Sequence, residues 1–224
     1  MPLSSAPSAL NPHRGLFIAL EGGEGAGKST QLATVRDYLT EQGFTVECTR
    51  EPGGTKLAEQ IRSVLLTPDP DESLCSASEL LLMYAARAQL VNSKIKPLLE
   101  QGVVVISDRF DLSTIAYQGY GRGFSLEQIA ALRQVAIGDF KPDLTLLFDV
   151  PVEVGMTRIK KRSAKDRIEQ SSIDFFTRVR QGYLEYAAQH PDEVCVLDAT
   201  GDVATVAQQV RALLAQRCAS LRQQ

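Results

Sequence analysis

The sequence predicts an α/β fold: three layers, with a five-stranded parallel sheet between helices on both faces. Two observations carry this expectation. Short apolar runs alternate with longer stretches of helical periodicity, the order that repeated strand–helix units impose. The apolar runs are also nearly continuous in hydrophobicity, as strands covered on both faces require.

The first strand is GLFIALE, Gly15–Glu21, which runs into a glycine-rich segment and then a helix over Lys28–Gln42. TVECTR, Thr45–Arg50, is the second strand, followed by the turn Glu51-Pro52-Gly53-Gly54 and a helix over Leu57–Leu66. A helix over Ser76–Leu90, continuing toward Leu99, leads to the third strand, VVVISD at Val103–Asp108. A helix over Leu126–Gly138 precedes the fourth strand, LTLLFDV at Leu144–Val150. Helix Phe175–Gln189, strand EVCVLDA at Glu193–Ala199 and helix Ala204–Ala219 complete the pattern. No internal repeat or low-complexity linker interrupts it, so residues 15–221 are expected to form a single domain. Ligands of such sheets bind beyond the carboxyl ends of the strands.

Composition narrows the function. The 224 residues are 44% hydrophobic and 23% charged with a formal net charge of -3, ordinary for a soluble globular protein. A slightly acidic balance argues against a general nucleic-acid or membrane-surface binder, which needs a basic face. Cys48, Cys75, Cys195 and Cys218 are scattered, without a C-x-x-C pair or an adjacent histidine. That fits neither a zinc site nor a disulfide scaffold and suits a reducing cytoplasm. Residues 1–14, rich in Ser, Pro and Ala, lack the apolar core and basic start of a secretory signal and read as a disordered tail. No apolar run approaches membrane-spanning length.

Chemistry enters with LEGGEGAGKST, Leu20–Thr30. Gly22-x-x-x-x-Gly27-Lys28-Ser29 is a complete phosphate-loop pattern, placed after a predicted strand and opening a predicted helix. Gly22, Gly23, Gly25 and Gly27, with Glu24 and Ala26 between them, let backbone N–H groups curl around phosphate oxygens, and the helix N-terminus adds partial positive charge. Lys28 can reach the β- and γ-phosphates, while Ser29 can ligate Mg²⁺ and Thr30 continues the helix start. A nucleoside triphosphate with Mg²⁺ follows. At the end of the third strand, Asp108 supplies the second half of a magnesium site, directly or through water. Arg109 beside it can clamp an acceptor phosphate, although the pair taken alone reads as a solvated Asp-Arg at a strand end.

A GTPase would need an N-K-x-D segment after a later strand, and the sequence has none; a motor or transporter ATPase would be larger. A small kinase needs an acceptor site and a water-excluding lid. A basic run from Arg158 to Arg167, with six cations in ten residues, is a candidate lid within about residues 155–170; as a bare charge run it reads equally as a solvated helix face.

TREPGGT (Thr49–Thr55), the YAAR of Tyr84–Arg87, DRFDLSTIAYQGYGRG (Asp108–Gly123) and PDLTLLFDV with the arginine-rich segment ending DRIE (Asp166–Glu169) resemble thymidylate kinases of the bacterial type. That family belongs to the nucleoside monophosphate kinase branch of the P-loop NTPases, and the likeness runs from Gly15 to about Ala199. It implies transfer of the ATP γ-phosphoryl to dTMP, giving dTDP for dTTP biosynthesis, in a cytoplasmic homodimer. In the eukaryotic members an arginine follows the loop's acidic residue, where this sequence has Gly25. The resemblance therefore implies that lid arginines supply the charge, Arg162 first, with Arg158 and Arg167 supporting.

The same resemblance implies the acceptor contacts. Glu24 meets the acceptor side of the site or orients an arginine near it. Arg50, Glu51, Pro52 and Gly53 meet the dTMP phosphate or sugar. Arg87 binds the base edge, and Met83, one turn earlier, stands where the family carries an aromatic that stacks on thymine; core packing is the alternative for Met83. Ser113, Thr114, Tyr117 and Gln118 match base and sugar contacts, with Tyr117 in the space a ribose 2′-hydroxyl would need. Two other readings stay open: a kinase for another pyrimidine monophosphate, and a non-catalytic nucleotide-binding module.

Overall fold

A computed structural model describes residues 15–159 and 166–221. The expected tail at 1–14 and the centre of the cationic segment, including Arg162, lie outside the described residues.

Five strands form one parallel sheet in the order β2-β3-β1-β4-β5. They are β1 (Phe17–Glu21), β2 (Val46–Arg50), β3 (Val104–Asp108), β4 (Leu144–Asp149) and β5 (Val194–Asp198). Register aligns their carboxyl ends: Leu20 and Arg50 both pair with Asp108, Glu21 with Leu147, and Asp149 with Asp198. Successive β1 residues feed opposite layers. Ile18 and Leu20 pack with Val35 and Leu39 of α1 (Lys28–Glu41) and Val210 of α9 (Val203–Leu221). Phe17 and Ala19 pack with Leu90 at the end of α3 (Ser76–Leu90) and Leu99 of α4 (Lys96–Glu100). This is the three-layer fold that the continuous apolar runs predict.

The remaining helices are α2 (Lys56–Leu66), α5 (Asp111–Thr114), α6 (Leu126–Ala136), α7 (Val152–Ile159) and α8 (Ile173–Gln189). Side chains cap several of them: Thr55 Oγ1 accepts from the Ala58 N–H on α2, Ser172 Oγ from Phe175 on α8, and Ser125 with Gln128 forms a reciprocal box on α6. The α3 helix passes through a π-helical segment, Val91–Ile95, into α4, which is the continuation toward Leu99 that the sequence predicts.

Two helical stretches go beyond the sequence reading. Asp111–Thr114 continues as a π-helix over Ile115–Gly121, and the widened turns carry Tyr117 and Gln118. The start of the expected lid is α7, whose Gly155 and Ile159 are buried. Gly155 abuts the loop after β1: a Cβ there would lie 2.2 Å from the Glu24 carbonyl oxygen, and one on Gly25 would lie 2.2 Å from the Gly155 carbonyl. Two facing residues without side chains let a helix rest directly on a backbone loop.

Candidate active site

The loop Gly22–Gly27 leaves the sheet at β1, where the strand order reverses between β3 and β4. Gly27 takes φ 85° at the start of α1 and has no side chain to cap it, so the helix N-terminus faces the loop bare. Lys28 is almost buried, and its ammonium donates to the Gly22 and Gly23 carbonyls at 2.8 and 2.9 Å. Burial, with the positive charge of Arg109 adding to it, pulls the Lys28 pKa down to about 8. Ser29 Oγ donates to Asp108 Oδ2 at 3.0 Å across the gap between α1 and β3. The other oxygen, Asp108 Oδ1, is buried and has no hydrogen-bond partner among the described residues.

Asp108 and Arg109 ride on a turn anchored below by Phe110, which is buried edge-on against Phe17 at 4.8 Å. Such a pair is worth about 0.5–1.5 kcal/mol beyond its burial. Arg109 sits at φ 72°, a conformation that costs a non-glycine residue about 1–3 kcal/mol unless its surroundings hold it. Glu21 provides that hold from the end of β1. Its fully buried carboxylate accepts from the Phe110 N–H at 2.8 Å, the Ser113 N–H at 3.2 Å and the Ser113 hydroxyl at 2.6 Å. The Tyr183 hydroxyl of α8 donates to it as well, at 3.1 Å.

So held, the Arg109 guanidinium reaches Glu24 Oε1 at 2.5 Å and the Gly22 carbonyl at 3.0 Å, and lies 5.0 Å from the Tyr117 ring centre. Tyr117 donates its hydroxyl to the same Glu24 oxygen at 2.7 Å. Of the two roles expected of Glu24, orienting an arginine is the one this geometry displays.

On the other side of Arg109 opens a cavity of about 220 Å³. The loop from Glu24 to Thr30 forms one wall, and Asp108, Arg109, Ser113, Thr114, Tyr117 and Gln118 form another. Glu51 and Pro52 close it from the turn after β2, and Met83 and Arg87 from one face of α3. Arg87 is buried and tied to Glu51 Oε2 at 2.7 Å, Asp111 Oδ1 at 3.1 Å and the Phe110 carbonyl at 3.1 Å. Burial pushes the Glu51 carboxyl up to about 7 against the pull of Arg87, and its second oxygen, Oε1, is buried without a partner among the described residues. Met83 both lines the cavity and packs on the apolar cluster of Leu112 and Tyr117, so the two readings of this residue are compatible.

Arg50 lies elsewhere. It ends β2 with its side chain pointing out, more than half exposed and paired with Glu59 Oε2 at 3.0 Å, outside the lining of the cavity. Gly53 also stays behind the wall, and Gly22 and Gly23 contribute their carbonyls to Lys28. Arg62 of α2 also stands in the cavity wall near the turn and donates to the Pro52 carbonyl at 2.7 Å. Sequence reasoning missed it, though its i, i+3 spacing from Glu59 puts both on the α2 face that straps the turn; Glu59 Oε1 accepts the Gly54 N–H at 2.8 Å. Glu21 was missed too, although a carboxylate ending an apolar strand has to find donors when buried.

Arg158 spans the far side of the loop. Its guanidinium donates to the carbonyls of Ala199 at 2.9 Å and Thr200 at 3.1 Å, and to Gly25 at 3.3 Å. It lines a second cavity of about 410 Å³, whose other walls include Gly27, Thr30, Gly201, Asp202 and Val203. Arg167 is placed differently, against Glu79 and the Leu65 carbonyl. No cluster of three or more metal-ligating His, Cys, Asp or Glu residues occurs among the described residues.

A phosphate loop at the switch point of a parallel sheet, with a cavity on each side and an Asp-Arg turn facing it, defines the P-loop kinase fold and a nucleotide-binding phosphotransferase site. The family model for thymidylate kinase matches residues 20–210. Thymidylate kinase of Ectopseudomonas mendocina (strain ymp) is 53% identical over 200 residues, covering 89% of this chain and 95% of that protein. Thymidylate kinase of Alcanivorax borkumensis is 53% identical over 196 residues, covering 88% and 94%. The crystal structure of thymidylate kinase from Ehrlichia chaffeensis superposes with a TM-score of 0.73 at 35% identity, covering 90% of this chain and 99% of that one. The chain belongs to the thymidylate kinase family.

Proposed function

We propose that this protein transfers the γ-phosphoryl group of ATP to dTMP, giving dTDP in nucleotide biosynthesis, across the loop that separates its two cavities. The shared wall is the observation that carries this reading: Glu24 to Thr30 face the smaller cavity, and Gly25 to Gly27 with Thr30 also face the larger. The larger, with Arg158 along it, takes the nucleoside of ATP; the smaller takes dTMP. Loop N–H groups, the α1 N-terminus and Lys28 hold the ATP phosphates. Arg109 and Arg62 hold the acceptor phosphate, Tyr117 abuts C2′ of its sugar, and Gln118, Arg87 and Met83 face its base.

The acceptor needs no dedicated base, because the second pKa of a phosphate monoester is about 6 and the nucleophile is already largely anionic at neutral pH. The protein's contribution is alignment and charge neutralisation. Ser29 and Asp108 fit Mg²⁺, since a hydroxyl and a carboxylate are paired there and a buried oxygen is left without a partner among the described residues. The ion, when bound, neutralises phosphate charge. By the family resemblance Arg162 adds positive charge at the transferring group, and Arg162→Ala is expected to lower kcat at least about a hundredfold.

A homodimer in the cytoplasm completes the reading. Exposed apolar side chains on neighbouring helices support the dimer: Leu57 and Val64 on α2, Leu81 on α3, and Leu126 and Val135 on α6, with α3 packed against both others. No helix among the described residues is long and apolar enough to cross a membrane.

The deciding experiment follows ADP release with dTMP, dUMP, dCMP, CMP or no acceptor. Turnover that is strong with dTMP and small without acceptor supports the reading. Preference for a ribonucleotide, or release independent of acceptor, contradicts it.

A further inference from the structure

Glu79, in the first turn of α3, is a carboxylate with 1% exposure and no place in the chemistry described so far. Four donors converge on it. Gln118 Nε2 donates to Oε1 at 2.8 Å, Arg122 donates through Nε and Nη2 at 3.2 Å each, and Arg167 donates to Oε2. Both arginines are fixed in turn: Arg122 lies 4.6 Å from the Phe175 ring centre, and Arg167 Nε donates to the Leu65 carbonyl at 2.8 Å. Burial alone would raise the Glu79 carboxyl, but the hydrogen bonds from Arg122, Gln118 and Arg167 outweigh it and hold the group below the ordinary carboxylate range.

An ionised carboxylate only accepts hydrogen bonds, whereas the two ends of a glutamine amide differ, one donating and one accepting. Facing Glu79, Gln118 has to present its NH₂ group. Its carbonyl oxygen is then the end left for the cavity that Gln118 lines. We infer that Glu79 is a specificity-determining positioning residue: it fixes the polarity of Gln118, so that an acceptor oxygen meets N3–H of a thymine-type base and rejects cytosine, whose N3 is itself an acceptor. This rests on the reading that Gln118 faces the base. A protonated or neutral side chain at position 79 could donate to the amide oxygen instead and let the amide turn over. Arg122 and Arg167 keep that from happening.

The test is the ratio of kcat/KM for dTMP to that for dCMP, measured for wild type, Glu79→Gln, Gln118→Met and the double variant. The Glu79→Gln change keeps the side chain's shape but leaves it able to donate as well as accept. The ratio is expected to fall about tenfold, the worth of one hydrogen bond, with the KM for ATP within about twofold of wild type. In the Gln118→Met background the Glu79 change should cause no further loss. An unchanged ratio in Glu79→Gln, or an equal loss with and without Gln118, overturns the inference. If Gln118→Met alone leaves the ratio and the KM for dTMP unchanged, the base contact of Gln118 falls and the inference falls with it. A neutron structure of the wild-type protein with dTMP, which tells the amide nitrogen from the oxygen, serves should Glu79→Gln fail to fold: Gln118 Oε1 within about 3.2 Å of N3 supports the inference, and Nε2 there overturns it.

Discussion

Burial governs how the lysine of the site titrates. Lys28, held between two carbonyls with its pKa lowered to about 8, is partly neutral just above neutrality. Phosphate binding favours the protonated form, so ATP binding should take up a fraction of a proton near pH 8, and affinity should weaken as pH rises beyond it. Calorimetry of a non-hydrolysable ATP analogue in buffers of different ionisation heat measures this; zero uptake across pH 7.5–8.5 contradicts it. Stability carries the opposite sign: the folded state binds fewer protons on Lys28 from about pH 8 up to the ordinary lysine pKa, so this group's cost eases as pH rises through that window. Arg109 depends on shape as well as charge. Arg109→Lys keeps the charge but loses the fork that spans Glu24 and Gly22, and kcat/KM for dTMP should fall about a hundredfold with the KM for ATP nearly unchanged. Comparable losses for both substrates would place Arg109 on the donor side.

Among elements, the contact of α7 with the loop is the tightest piece of backbone packing in the site. Gly155→Ala puts a methyl group 2.2 Å from the Glu24 carbonyl, and either helix or loop has to move. Overpacking of this kind costs about 1–3 kcal/mol. A domain of this size loses roughly 2–4 °C of Tm per kcal/mol. The Tm should fall by about 2–12 °C and the KM for ATP should rise; an unperturbed KM would mean the loop tolerates the shift. Elements buried on both faces were legible in the sequence because burial writes continuous apolar runs, and the strand ends agree with expectation to within two residues. The helix over Asp111–Gly121 was not legible as one: Gly119 and Gly121 weaken its pattern, and its π-helical turns have no helical period of 3.6. Gly121 is there because Phe175 leaves no room for a Cβ. The phosphate loop could be read from local spacing, and the Asp-Arg turn only in combination with it. Arg62 could not, since its place in the cavity wall depends on how α2 straps the turn after β2, a relation between elements.

For the molecule as a whole, ligand and partner binding are coupled to folding through mass action. A ligand at a hundred times its Kd adds about 2.7 kcal/mol, so an ATP analogue and dTMP together should raise Tm by several degrees beyond either alone if both cavities fill at once. Simple competition between them would contradict a two-cavity site. The proposed dimer predicts a mass twice that of the chain in light scattering, and Leu81→Glu, which puts a charge among the exposed apolar side chains of α2, α3 and α6, should shift it toward monomer.

The pairing of Glu24 with Arg109 has one more consequence. Arg109 is paired with an anion of the protein itself, so an arriving phosphate exchanges with a carboxylate and does not land on bare charge. Inorganic phosphate and sulfate, lacking a base and sugar to make up the difference, should compete weakly. Affinity should also depend on ionic strength less steeply than the count of arginines around the cavity suggests.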